Sequence, residues 1–378
     1  MEVWKICQGV KNKKCFCRFL FDDLGYNKTV VLEKIAIESF RNYQKTSFEF
    51  SPKATLVVGP NTSGKTNLLE AIFLLALGRT FRPGLEREMI RWGEDLARVK
   101  GTIAAEGTEL ELVLTRGEVL GKPAPLKKLL VNGVSKRLFN FVGNLPVVLF
   151  SPEDLQLVTD SPSLRRSHLD FVLDQVDKEY RKRGQVYGRA LSQRNRLLKL
   201  IGERRREKGE LAYWDKLLIE NGSYLTEKRD KLFDFINQLP QDLGEFLFVY
   251  QSSEINPDRL GEYRNQEIAA GMTLVGPHRD DWQFSINDRD LSLFGSRGEQ
   301  RRAILALKLA ELEFMDQATA KRPLLLLDDI FSELDEKNRQ EVLKIIPRQQ
   351  VVVTTTDREL VRKDFLDKIK VIELKSKS

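Results

Sequence analysis

Histidine and cysteine are scarce: the 378 residues hold two histidines, His168 and His278, and three cysteines, Cys7, Cys15 and Cys17. Three thiols bunched in one short segment make neither an even disulfide framework nor a zinc ligand set, so free thiols in a reducing cytoplasm are expected. Long hydrophobic runs are also missing. Stretches such as Phe73–Leu77 and Leu324–Leu327 fall far short of the roughly 18 apolar residues that a membrane-crossing helix needs. Residues 1–31 contain no apolar core of a secretory signal. Neither membrane insertion nor export is expected.

The net charge is only +7, but it is concentrated. Between Arg181 and Lys208 stand eleven lysines and arginines against two acids, Glu203 and Glu207, which leaves the rest of the chain at −2. A confined basic stretch suits a polyanion held at one place on the molecule. Around Arg181–Lys199, Tyr187, Leu191 and Leu198 fall on one helical face, and Lys182, Arg189 and Arg196 recur every seven residues on another. These three cations are the candidate contacts to the phosphates of such a polyanion, a nucleic acid among them. A solvated helix surface is the plainer alternative.

Thr55–Val58 reads as a buried strand, and Leu68, Leu69, Ile72, Leu75 and Ala76 as the face of a helix that stops near Gly78. Between them Gly59-Pro60-Asn61-Thr62-Ser63-Gly64-Lys65-Thr66 completes the pattern G-x-x-x-x-G-K-[ST] in the context it requires. Glycines let the backbone fold around a phosphate, and N–H groups at a helix start offer donors to it. Lys65 is expected at the β- and γ-phosphates of ATP, and Thr66 at Mg2+. Arg322–Asp329 reads as a buried strand that ends in paired acids, Asp328 for the metal and Asp329 for the attacking water.

Phe294-Gly295-Ser296-Arg297-Gly298-Glu299-Gln300 opens a long helix before that strand and resembles the signature loop of ATP-binding cassettes. There the loop of one protomer meets the γ-phosphate held by the other, which makes Ser296, Gly298 and Gln300 nucleotide contacts across an ATP-dependent homodimer. Ser332-Glu333-Leu334-Asp335 resembles the D-loop at the same contact. Where transporters carry a γ-phosphate-sensing histidine, this chain has Thr354-Thr355-Thr356-Asp357. That argues against a transport ATPase and leaves the switch residue open. A chromosome-condensation ATPase would need sustained heptads, which residues 152–238 lack.

Several blocks in fixed order resemble the RecF family of DNA-repair ATPases, relatives of the SMC proteins. They are Glu38-Ser39-Phe40-Arg41-Asn42-Tyr43, Asn67-Leu68-Leu69-Glu70-Ala71-Ile72, Leu149–Leu155, Arg165–Asp170, Gln193–Lys199 and Gly276-Pro277-His278-Arg279-Asp280. The resemblance implies that Arg41 and Asn42 lie against the nucleotide and that Asn67 continues the phosphate loop. It further implies slow ATP hydrolysis by Asp329, binding at single-strand/duplex junctions of gapped DNA, a RecR partner and help in placing RecA. The expected fold is α/β, a P-loop ATPase lobe with an inserted helical lobe. Its parts would be an N-terminal extension (1–31), ATPase lobe (32–150), helical lobe (151–245) and the returning ATPase lobe (246–378). Residues 1–31 match nothing in the family and read as an appendage or as a start placed too far upstream.

Overall fold

The computed structural model describes residues 28–82, 84–104, 107–240, 243–357 and 369–375. Its centre is a five-stranded parallel sheet in the order Val147–Phe150, Leu324–Asp328, Val351–Thr355, Ala54–Val58, Lys370–Glu373. Parallel strands are covered on both faces, so they read as unbroken apolar runs. Leu324–Leu327 and Val351–Val353 are such runs and are fully buried. The helix Lys65–Leu77 lies against this sheet and buries every residue but Thr66 and Asn67.

A six-stranded antiparallel sheet stands beside it, built on Leu32–Phe40, which pairs with Tyr43–Glu49 on one side and Leu96–Ile103 on the other. Thr108–Thr115, Lys127–Val131 and Val134–Ser135 continue the ladder. Alternation of Val99, Ile103, Leu110, Leu112 and Leu114 puts one face of this sheet into the core. The described fold also reaches upstream of residue 32. Lys28–Thr29 already pairs in parallel with Lys321–Arg322, and the Val30 N–H donates to the Arg322 carbonyl. Residues 1–27, with all three cysteines, lie outside the described residues.

The helical part contains Pro162–Val176, Lys178–Gly202 and Ala212–Gln238. Asp177 caps the second of these by accepting the N–H groups of Glu179 and Tyr180. The sequence reading returns the chain to the ATPase lobe at 246. Phe246–Gln251 pairs with Asp281–Ile286, and both pack on Ala212–Gln238, through Phe233 against Trp282 (5.4 Å) and Asn237, whose amide exchanges hydrogen bonds with the backbone of Phe248. A pair of amphipathic strands needs a partner on its apolar face, and this helix supplies one. The return to the central sheet comes with the helix Arg297–Thr319 and the strand that follows.

Candidate functional site

The phosphate loop joins the strand Ala54–Val58 to the helix Lys65–Leu77. Gly64 sits at φ 107°, and a Cβ there would lie 2.7 Å from the Asn42 amide and 2.8 Å from the Tyr43 hydroxyl. Only glycine fits. Asn42 donates to the Ser63 carbonyl (3.2 Å), Tyr43 to the Gly64 carbonyl (3.0 Å), and Asn67 to Asn42 (3.0 Å). The block 38–43 thus clasps the loop from outside. Pro60, Asn61 and Thr62 form its exposed crest, whereas Gly59 and Ser63 are buried. The Lys65 ammonium lies inside the loop on the carbonyls of Gly59 (2.7 Å) and Pro60 (3.0 Å). Burial pulls its pKa down, and the charges of Asp329 and Asp328 oppose this.

Asp328 and Thr66, far apart in sequence, meet here: the Thr66 hydroxyl donates to Asp328 Oδ1 at 3.1 Å. Burial pushes the Asp328 carboxyl up, and hydrogen bonds from Thr354 and Thr66 hold it down. Thr354 is a residue that sequence reasoning missed. Its hydroxyl donates to Asp328 Oδ1 (2.7 Å) and accepts the Asp329 N–H (3.0 Å), because the two strands place Asp328 level with Thr354. Strand register was the signal that could have found it. Asp329 follows in the left-handed region (φ 52°), where the strand breaks into the short helix Ile330–Glu333. Among the described residues no cluster of three or more His, Cys, Asp or Glu side chains stands together. One hydroxyl and one carboxylate are a donor set that fits Mg2+, which takes few protein ligands and completes its shell with water and phosphate oxygens.

Two of the expected nucleotide contacts have partners within the chain. Arg41 does not stand free beside the loop: its guanidinium forks onto Glu70 (2.9 and 2.8 Å), which is 0% exposed and also receives Thr80 (2.7 Å). A buried carboxylate demands a cation, and Arg41 supplies it to the helix behind the loop. Gln300 is buried, and its amide donates to the Leu291 carbonyl (3.1 Å), since its helical position turns it into its own lobe.

Ser296 and Gly298 are exposed. Ser296 caps the helix Arg297–Thr319 in a reciprocal box with Glu299: its N–H and hydroxyl donate to that carboxylate at 2.8 and 2.7 Å, and it accepts the Glu299 N–H. No hydrogen bond links either residue to the phosphate loop among the described residues. Further along this helix, buried Lys308 pairs with Asp154 (3.0 Å), and Glu311 meets His168 (2.5 Å), which pins the signature helix to the turn and helix behind it. Sequence reading did not reach this cluster.

The basic stretch divides. Arg194 is fully buried between Asp215 and Glu267, both at 2.7 Å, and Arg181 is spent on the carbonyls of Phe139 and Asp174. Lys182, Arg189 and Arg196 are exposed as the periodicity predicts. Lys182 lies 3.8 Å from Glu179, and Arg189 and Arg196 make no ion pair among the described residues.

A phosphate loop, an aspartate at the end of a strand two places away in the same parallel sheet and a capped signature helix define an ABC-type ATPase fold. The family model described as RecF/RecN/SMC N terminal domain matches residues 31–377. The chain is 35% identical to the DNA replication and repair protein RecF of Bacillus cytotoxicus over 91% of its length and 97% of the relative's. It is likewise 35% identical to that of Bacillus thuringiensis, over 91% of its length and 96% of the relative's. The solved structure of the recombination mediator protein RecF-ATP in the RecFOR pathway superposes with a TM-score of 0.81 at 31% identity, covering 90% of this chain and 95% of that one. The Smc head domain of Pyrococcus furiosus shares the fold alone (TM-score 0.50, 17% identity, 91% and 93% covered). The chain belongs to the RecF family. Among the described residues no helix is long and apolar enough to cross a membrane.

Proposed function

We propose that this protein is a RecF-type DNA replication and repair ATPase that binds ATP with Mg2+, dimerises on it and holds DNA. The observation that carries the reading is the meeting of Thr66 and Asp328 at 3.1 Å beside the phosphate loop, in a chain that aligns along nearly its whole length with RecF proteins. Backbone N–H groups of the loop between Asn61 and Thr66 would hold the phosphates, and Lys65 would leave the carbonyls of Gly59 and Pro60 for them. Mg2+, when bound by Thr66 and Asp328, would neutralise developing phosphate charge. Asp329 would orient the attacking water and accept its proton.

The signature loop supports a dimeric site. Ser296 and Gly298 sit exposed at a helix start with no phosphate loop of their own chain bonded to them, which suits docking on the nucleotide of a second copy, in a two-fold arrangement that completes two sites. Lys182, Arg189 and Arg196 would contact DNA phosphates. RecR and, through it, RecA are the partners that family membership points to, with gapped DNA as substrate. Hydrolysis is expected to be slow. The test is nucleotide affinity and turnover with and without gapped duplex: tight Mg2+-dependent ATP binding and ATP-dependent DNA retention are expected, and DNA retention indifferent to ATP would contradict the reading.

A further inference from the structure

The outward stripe of the helix Lys178–Gly202 contains more cations than the sequence period singles out. Lys178, Lys182, Arg189, Arg196 and Lys199 are all exposed and follow one another at spacings that keep them on one face. At about 1.5 Å per residue the stripe is about 32 Å long, the axial length of about nine base pairs of duplex.

The stripe does not end at the helix. Its N-terminal turn abuts the short helix Leu138–Phe141, which belongs to the lobe of the six-stranded sheet. Lys178 lies 6.0 Å from the Phe139 ring, and Arg181 donates to the Phe139 carbonyl at 3.2 Å. Lys136 and Arg137 enter that short helix, and both are exposed. The acids nearby are already engaged: Asp174 with Arg79 (2.7 Å), Asp177 with Lys228 (3.0 Å) and Glu179 with both Arg183 (2.8 Å) and Lys182 of the stripe (3.8 Å). The junction therefore carries uncompensated positive charge across the seam.

We propose that Lys136 and Arg137 extend the cationic stripe across the lobe junction, so that one duplex DNA backbone is gripped by both lobes, with buried Arg181 as the joint that fixes their register. This rests on the reading that the helix stripe binds DNA. It adds a contact on the nucleotide-binding lobe and gives Arg181 a purpose other than contact.

The experiment measures duplex affinity across a salt series for the full chain with ATP, in three paired variants that each remove two charges. Lys136→Ala/Arg137→Ala should lower the slope of log K against log salt by up to about 1.8, at about 0.9 per phosphate contact. Arg189→Ala/Arg196→Ala should do the same. Lys216→Ala/Lys231→Ala, exposed cations on the helix Ala212–Gln238, should leave the slope unchanged. ATP affinity should be equal in all three. An unchanged slope in the Lys136/Arg137 pair alone would overturn the extension and leave the helix stripe standing; unchanged slopes in both of the first two pairs would remove the DNA reading itself. Equal losses in all three would show that only net charge is sensed, and binding of poly-glutamate as tight as a duplex of equal charge would assign the stripe to an acidic protein. Either result overturns the proposal.

Discussion

Thr354→Val should weaken Mg2+-dependent ATP binding without disturbing the fold. Thr354 is 0% exposed, and its hydroxyl bridges the two acids, donating to Asp328 Oδ1 at 2.7 Å and accepting the Asp329 N–H at 3.0 Å. Valine keeps the shape and the β-strand preference but removes both bonds. The Asp329 N–H retains the Thr354 carbonyl at 3.2 Å, so the main loss falls on Asp328. A hydrogen bond to a charged acceptor contributes about 1.5–3 kcal/mol. That corresponds to about a 10- to 150-fold change in the Mg2+ concentration that half-saturates ATP binding. The assay titrates Mg2+ against ATP binding, with metal-free nucleotide binding as the baseline, and Thr354→Ser should restore the wild-type value. A folded Thr354→Val protein with an unchanged Mg2+ midpoint would refute the assignment of Thr354 to the metal aspartate.

Lys65→Ala should abolish tight ATP binding, because backbone donors cannot replace a point charge on the phosphates; unchanged affinity by calorimetry would contradict the loop assignment. Asp329→Asn should bind ATP normally but turn it over slowly, leaving a persistent ATP-bound dimer, since an amide can orient water yet cannot take its proton; normal steady-state hydrolysis would exclude Asp329 as the base. Burial first, then the charges of Arg279, Arg166 and Arg194, pushes the His278 imidazole down to about 4, while Thr273 opposes the shift. A base with a folded pKa below its unfolded value near 6.5 binds protons more readily when unfolded, so its contribution to stability is intact above about pH 6.5 and is lost as pH falls toward 4. NMR should find His278 neutral at pH 6, and a titration midpoint at or above 6.5 would contradict the burial argument.

The parts of the site that are contiguous in sequence were legible there, because a phosphate loop needs its glycines and lysine at fixed spacing between a strand and a helix. The paired acids were legible as well, as the polar end of an apolar strand. What depends on register was not: Thr354 joins Asp328 only because two parallel strands run level. Side-chain direction was also hidden, so the bonds of Arg41 to Glu70 and of Gln300 to the Leu291 carbonyl appear only in the fold. The basic run shows the same limit, since composition counts Arg194 with Arg189 and only the fold buries the first among Asp215, Glu267 and Thr273. The helix that covers the strand pair around Phe248 and Trp282 was not legible, because an amphipathic strand announces that it has an apolar face but not which helix covers it.

The central claim is that ATP completes its site only between two copies, through Ser296. Sedimentation velocity with ATP and Mg2+, run on the wild type and on Ser296→Arg, tests it most directly. The wild type should pass from monomer to dimer on adding ATP, and Ser296→Arg should stay monomeric while its monomer still binds nucleotide, because the bulky side chain stands where the second copy's γ-phosphate would dock. A Ser296→Arg protein that dimerises with ATP as the wild type does would contradict the account.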